Sequence, residues 1–207
     1  MMQLDKNHKI LPLFLFSIML LINGCGTTPP SRFYTLEAID GDEATQNAPG
    51  EQINIHIGIG PVKFAEYLNR SQIVTRTDGA EVKLAETHRW AEPLHNNFGR
   101  ILAENLSILM DTDKVLLHPS RNWSEIDYQV VVNVWQFDAS KQGEVILVAN
   151  WSIRGKGGSE LLTMKKSTLR TNVTSTASYS DIVRALSKTV EMLSIEIAGV
   201  IQTEQQQ

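Results

Sequence analysis

Residues 10–22 form an apolar run, ILPLFLFSIMLLI, which ends three residues before the only cysteine of the chain, Cys25. Lys6 and Lys9 precede the run. Thirteen residues fall short of the roughly 18–20 that a bilayer-crossing helix needs, and a positive start followed by a short greasy segment is the pattern of a secretory signal. A single cysteine makes no internal disulfide, no cysteine-built zinc site and no CxxC redox pair. Whatever follows must therefore be held together by an ordinary core. The composition allows this, with 42% hydrophobic and 20% charged residues, values that exclude a disordered acidic chain, a collagen-like repeat and a multi-span membrane protein. The 207 residues suit one domain of about 150 residues with an appendage. A net charge of −4 supplies no basic field for phosphate recognition, so no nucleic-acid partner is expected.

The segment INGC at 22–25 resembles the bacterial lipobox, with Asn23 departing from the usual small or aliphatic residue. That resemblance implies a diacylglycerol on the Cys25 thiol, cleavage after Gly24 and an acyl chain such as palmitate on the new amino group. The competing reading is a soluble secreted protein with a chance cysteine near its cut site. Each buried methylene contributes about 0.8 kcal/mol and one chain anchors only marginally, so three chains hold a protein essentially permanently. Removing the first 24 of 207 residues leaves 183, and takes away two lysines and one aspartate, so the charge becomes −5. Gly26, where an aspartate would signal retention, resembles the signal for onward transfer to the outer membrane.

Residues 25–31 then form a short lipidated tether, and the folded domain is expected over 32–203, with a frayed tail at 204–207. The run RFYTL at 32–36 reads as a strand, and 37–51 as a polar loop with five acids and no base. Ile53, Ile55, Ile57 and Ile59 alternate with polar or small residues, which predicts a half-buried strand that Gly60-Pro61 stops and residues 62–64 resume. Asp78-Gly79 between two β-prone runs predicts a hairpin. Trp90, Leu94, Phe98, Ile101, Leu102, Leu106 and Leu109 recur at helical spacing, placing a helix over about 91–110 with Pro93 in its first turn. A short strand at 114–118 and a three-stranded meander over 128–137, 144–154 and 161–170 follow. The last element is a second long helix, with an apolar stripe from Tyr179 to Ile201 and a capping box of Ser178 and Asp181. The fold class is α/β: one domain, a mixed β-sheet and two long helices.

A search for chemistry returns little. His56, His88, His95 and His118 fall on separate elements without ligand spacing. No GxSxG elbow occurs, and GKGGS at 155–159 lacks the spacing of a phosphate loop. No catalytic residue and no metal site are expected. The expected cofactors are none beyond the acyl chains of Cys25. Partner contact is the remaining use of the surface. Tyr67, Leu68, Arg70, Gln72, Ile73 and Arg76 combine aromatic, aliphatic and arginine side chains in a loop and strand, the composition favoured at interfaces; a solvated sheet edge is the alternative.

Four segments in order, RFYTL at 32–36, IGIGPV at 57–62, YLNRSQIV at 67–74 and RWAEPL at 89–94, resemble the motifs of the ABC-type transport auxiliary lipoproteins, the PqiC or YmbA-like family. Ser71 stands where that family often has proline. The resemblance implies a three-layer fold like the amino-terminal domain of TolB. It also implies a non-catalytic lipoprotein on the periplasmic face of the outer membrane that docks a periplasmic MCE-domain protein in a Pqi-type lipid transport system, as a homo-oligomeric ring. An independent envelope-assembly or lipid-carrier lipoprotein is the alternative, and an enzyme a more distant one.

Overall fold

The computed structural model describes residues 29–41, 54–77, 79–156 and 160–206. Cys25, the apolar run before it and most of the acidic loop lie outside the described residues. The domain, Ser31–Gln207, contains β1 (Arg32–Tyr34), β2 (Ile57–Phe64), β3 (Gln72–Arg76), β4 (Val82–Trp90), α1 (Leu94–Leu109), β5 (Val115–Leu117), β6 (Tyr128–Ser140), β7 (Glu144–Gly155), β8 (Glu160–Asn172) and α2 (Tyr179–Gln205).

The meander β6, β7 and β8 is antiparallel and paired along most of its length, with register shifts between Val134 and Gln136 and around Ile153. Its alternation places Val130, Val132 and Val134 opposite Ile153, Trp151 and Ala149 on one face, all of them buried. The other edge of β6 is shared. Its first half pairs in parallel with β2, and its last residues with β3 through Thr75 and Ala139. The sheet therefore forks: one arm continues to β5, the other through β4 to β1.

The mixed sheet and two long helices expected from the sequence are present, and both helices lie on one sheet face. Phe98 of α1 packs edge-on against Phe64 and Phe137 of β2 and β6, and Glu196 of α2 accepts from Ser167 of β8 (2.6 Å), which in turn accepts from Trp151 Nε1 (2.9 Å). The helices also touch each other, with Asn105 Nδ2 donating to Ser194 Oγ at 3.1 Å. The single-domain layered α/β architecture agrees with the expectation, and on the other sheet face a short 3-10 turn, Trp123–Glu125, brings Trp123 against Gly58.

Three boundaries differ from the expectation. β2 runs through Gly60-Pro61 instead of stopping there; the register with β6 shifts between Ile59 and Val62, so the proline sits at an irregularity where no ladder donor is required. Trp90 ends β4 rather than opening the helix, and Pro93 is the residue before α1 rather than inside it. The tail continues α2 as helix to Gln205. The Ser178–Asp181 capping box forms as expected, the serine hydroxyl accepting from Asp181 N and the carboxylate from Ser178 N. Gly143 closes the β6–β7 turn with φ +91, and a Cβ there would lie 2.1 Å from the carbonyl oxygen of Val173, so only glycine fits.

Candidate docking edge

Residues 89–94 are the place where the segments at 32–36 and 67–74 meet, while the segment at 57–62 borders a hollow with Glu92. β1 lies parallel to the end of β4, with Tyr34 opposite Trp90, and Ala91 N donates to Tyr34 O at 2.8 Å. After β1 the chain crosses the helices. Leu36 N donates to Asn97 Oδ1 (3.0 Å), Glu37 N to Ser187 Oγ (3.0 Å) and Ile39 N to Asn105 Oδ1 (2.9 Å). An unpaired buried N–H would cost about 1–3 kcal/mol, so these side chains make the groove between α1 and α2 a seat for backbone that belongs to no sheet.

Asn97 is wholly buried and uses its amide fully. Its Nδ2 donates to Thr35 Oγ1 and to Glu92 Oε1, each at 2.7 Å. Arg100 Nη2 donates to the same Glu92 oxygen at 2.9 Å and to Thr35 Oγ1 at 3.2 Å. The Arg100 hydrogen bond, assisted by that from Asn97, holds the Glu92 carboxyl below the usual carboxylate range. Glu92 is thereby favoured as an anion, with its Oε1 committed to Asn97 and Arg100.

The loop between β2 and β3 is pinned at both ends. Ala65 N donates to Val134 O (2.8 Å) and Trp90 N to Ser71 O (2.7 Å). Arg89 Nη1 donates to Ser71 Oγ at 3.4 Å, a contact that proline at this position could not make. At the centre of the loop Tyr67 Oη donates to Asp138 Oδ2 at 3.1 Å, and Arg76 Nη2 donates to the same oxygen at 2.9 Å. Gln136 Nε2 takes the other oxygen at 2.9 Å. The Asp138 side chain is 2% exposed, so the arginine supplies the charge that makes its burial tolerable. Burial, reinforced by the Asp138 charge, pushes the Tyr67 phenol up to about 12. The Arg76 guanidinium is raised chiefly by its hydrogen bond to Asp138.

Of the six residues expected at an interface, the structure brings Tyr67 and Arg76 together at Asp138 and leaves Arg70 exposed and Gln72 half-buried. Leu68 and Ile73 are in the core, at 1% and 0% exposure, and reach no partner surface in this structure. Asp138 escaped the sequence reading because it follows Phe137 in what resembles the start of a loop; its position in the strand alternation, carried on by Ala139 and Ser140, was the available signal.

Two open hollows flank the edge. One, of about 340 Å³, lies between Asn69, Arg70 and Ser71 and the segment from Trp90 to Leu94. The other, about 410 Å³, is bordered by Pro61, Glu92, His95, Arg100, Leu117 and His118. His88 sits apart from both, stacked on Tyr179 with ring centroids 3.9 Å apart and sharing a hydrogen bond with Tyr34 Oη (2.7 Å). Among the described residues, no three His, Cys, Asp or Glu side chains are placed to hold a metal, and no helix is long and apolar enough to cross a membrane.

The family described as ABC-type transport auxiliary lipoprotein component matches residues 34–198. The chain belongs to this family. A solved protein from Xanthomonas campestris, of the family DUF330, is 13% identical with a TM-score of 0.66 over 86% of this chain and all of that one. An uncharacterised protein of known structure is 19% identical, with a TM-score of 0.64 over 84% of this chain and 99% of its own. These likenesses show the fold. The PelC dodecamer from Paraburkholderia phytofirmans is 12% identical, with a TM-score of 0.37 over 67% of this chain and 87% of that one. No curated protein matches the sequence.

Proposed function

We propose that this auxiliary lipoprotein is a non-catalytic docking subunit, lipidated at Cys25 and held on the periplasmic face of the outer membrane. There it receives a periplasmic MCE-domain protein of a Pqi-type lipid transport system, as a ring of copies. The observation that carries the reading is the convergence of three of the family segments, 32–36, 67–74 and 89–94, on one interlocked edge. Side chains at that edge are spent on one another. Glu92 is held ionised by Arg100 and Asn97, which unfits it as a proton donor near neutral pH, and Tyr67 and Arg76 both donate to the Asp138 carboxylate. A rigid edge beside an exposed arginine, Arg70, suits protein recognition, where arginine and aromatic side chains carry much of the binding. Tyr67, Arg70, Gln72 and Arg76 are the residues assigned to it.

The test is crosslinking in cells with the full-length, lipidated protein. Recovery of an MCE-domain protein supports the reading. Recovery of none at native expression overturns it, and lipid that instead co-purifies with a soluble Cys25→Ser variant favours an independent carrier. The same variant should fold but leave the membrane fraction; a variant that still sediments with outer membrane in the absence of any partner contradicts the anchor.

A further inference from the structure

Phe33 is the most exposed of the large apolar side chains among the described residues, at 65%. It occupies the middle of β1, which pairs with β4 alone and forms one margin of the sheet. Directly opposite it on β4 is Arg89, on the helix-free face, since the flanking pairs Arg32–His88 and Tyr34–Trp90 alternate to the other side, where His88 meets Tyr179 of α2. Neighbouring Cβ atoms across such a pair lie about 5 Å apart. Arg32 is exposed, and neither arginine forms an ion pair among the described residues. One margin thus offers an unshielded aromatic ring with the half-buried Arg89 opposite it on the same face and the exposed Arg32 next to it on the other face of the strand.

The length of chain before this strand says what lies against it. Six residues, 26–31, separate Cys25 from Arg32, a reach of at most about 20 Å, and two adjacent prolines stiffen the tether. A compact domain of this size has a radius of gyration of about 16 Å, so a lipid at Cys25 cannot let the domain turn its β1 margin far from the bilayer. Aromatic rings settle at the level of lipid headgroups, and arginine matches phosphate geometry.

We propose that Phe33, with Arg32 and Arg89 beside it, lies in the headgroup layer of the membrane that holds the Cys25 lipid, so that the anchored domain stands on its β1 margin. The acyl chains supply retention; this contact supplies orientation, and it turns the β1 end toward the lipid before any partner arrives. The inference rests on the lipidation of Cys25 proposed above.

The experiment places the photocrosslinker p-benzoylphenylalanine at Phe33 or, as an equally apolar exposed control, at Ile195. The control lies sixteen residues along α2 from Tyr179, about 24 Å at 1.5 Å per residue. Full-length lipidated protein is reconstituted in vesicles of phosphatidylethanolamine and phosphatidylglycerol, and acylation of Cys25 is read separately by mass spectrometry. Several-fold more phospholipid adduct from position 33 than from 195 is expected. An acylated protein that gives no excess at 33, or that crosslinks there only to a second protein chain, overturns the proposal while leaving the anchor standing. Absence of acylation at Cys25 overturns both.

Discussion

The Asn97 side chain accepts the backbone N–H of Leu36 at 3.0 Å, joining residues 61 positions apart with both groups out of water. With the donations of Asn97 to Thr35 and Glu92, one side chain ties the first strand, the turn after β4 and α1 together. Asn97→Leu, close in volume, would leave the Leu36 donor and the Glu92 carboxylate without this partner. A loss of about 2–3 kcal/mol is expected, seen as a fall in Tm of about 5–10 °C for a domain of this length. Asn96→Ala, at an exposed neighbour, should change Tm by a degree or so. Circular dichroism melting of the two variants decides the point, and equal melting temperatures would contradict the role given to Asn97.

The Arg76–Asp138 pair is the charge interaction with most at stake. Asp138 is enclosed while Arg76 keeps 24% of its side chain exposed, so removing the arginine strands a carboxylate, whereas removing both groups does not. Arg76→Met should cost about 3–5 kcal/mol, and Arg76→Met with Asp138→Leu much less. In Asp138→Asn, the Tyr67 phenol should titrate below its present value of about 12, because the carboxylate charge and hydrogen bond that add to burial in raising it are removed while the lowering influence of Arg76 stays. Absorbance of the phenolate against pH reads this directly. An unchanged Tyr67 titration would show that the Asp138 charge does not reach the ring.

How much of this could be read from the chain depends on the range of the interaction. The Ser178–Asp181 cap is settled within four residues, and the Asp78-Gly79 hairpin by the turn and its flanks. β3 and β4 pair antiparallel across that turn. The helix stripe from Leu94 to Leu106 was legible because burial on α1 follows the 3.6-residue period. Trp90 fell into the same spacing by accident, and only tertiary pairing with β1 assigns it to a strand. Leu68 and Ile73 resembled interface residues by composition, but the loop from Ala65 to Ser71 folds down so that both fill the core. The fork of β6 between β2 and β3, and the meeting of Tyr67 with Asp138 across 71 positions, depend on parallel pairings that leave no local trace.

His88 gives a pH dependence with a definite sign. Burial, assisted by the Arg32 charge, lowers its pKa from 6.5, so over that window the unfolded chain binds more protons than the native one. Stability therefore rises with pH there: the contribution is present above about 6.5 and is lost as pH falls toward the depressed native value. Tm measured between pH 7.5 and 5 should fall for the native protein, and His88→Phe, which keeps a ring against Tyr179, should flatten that part of the curve. Glu92 and Asp181, whose carboxyls are lowered, act in a separate and more acidic range. A His88→Phe profile parallel to the native one would assign the acid sensitivity elsewhere.

Arg70 separates recognition from folding. Its side chain is exposed at the hollow facing Trp90 to Leu94, and no hydrogen bond or ion pair among the described residues holds it, so Arg70→Glu should leave Tm within about 0.5 kcal/mol of stability, as exposed substitutions do. If the edge docks a periplasmic partner, the same substitution should lower crosslinked recovery of that partner about tenfold or more, the loss of roughly 1.4 kcal/mol or above that an interface arginine carries. Arg121→Glu, at an exposed arginine outside the loop and both hollows, serves as the charge control, since a non-specific electrostatic attraction would weaken equally in both variants. Selective loss in Arg70→Glu places the contact at the edge. Equal recovery in the two variants removes Arg70 from the docking surface and leaves Tyr67, Gln72 and Arg76 to be tested in its place.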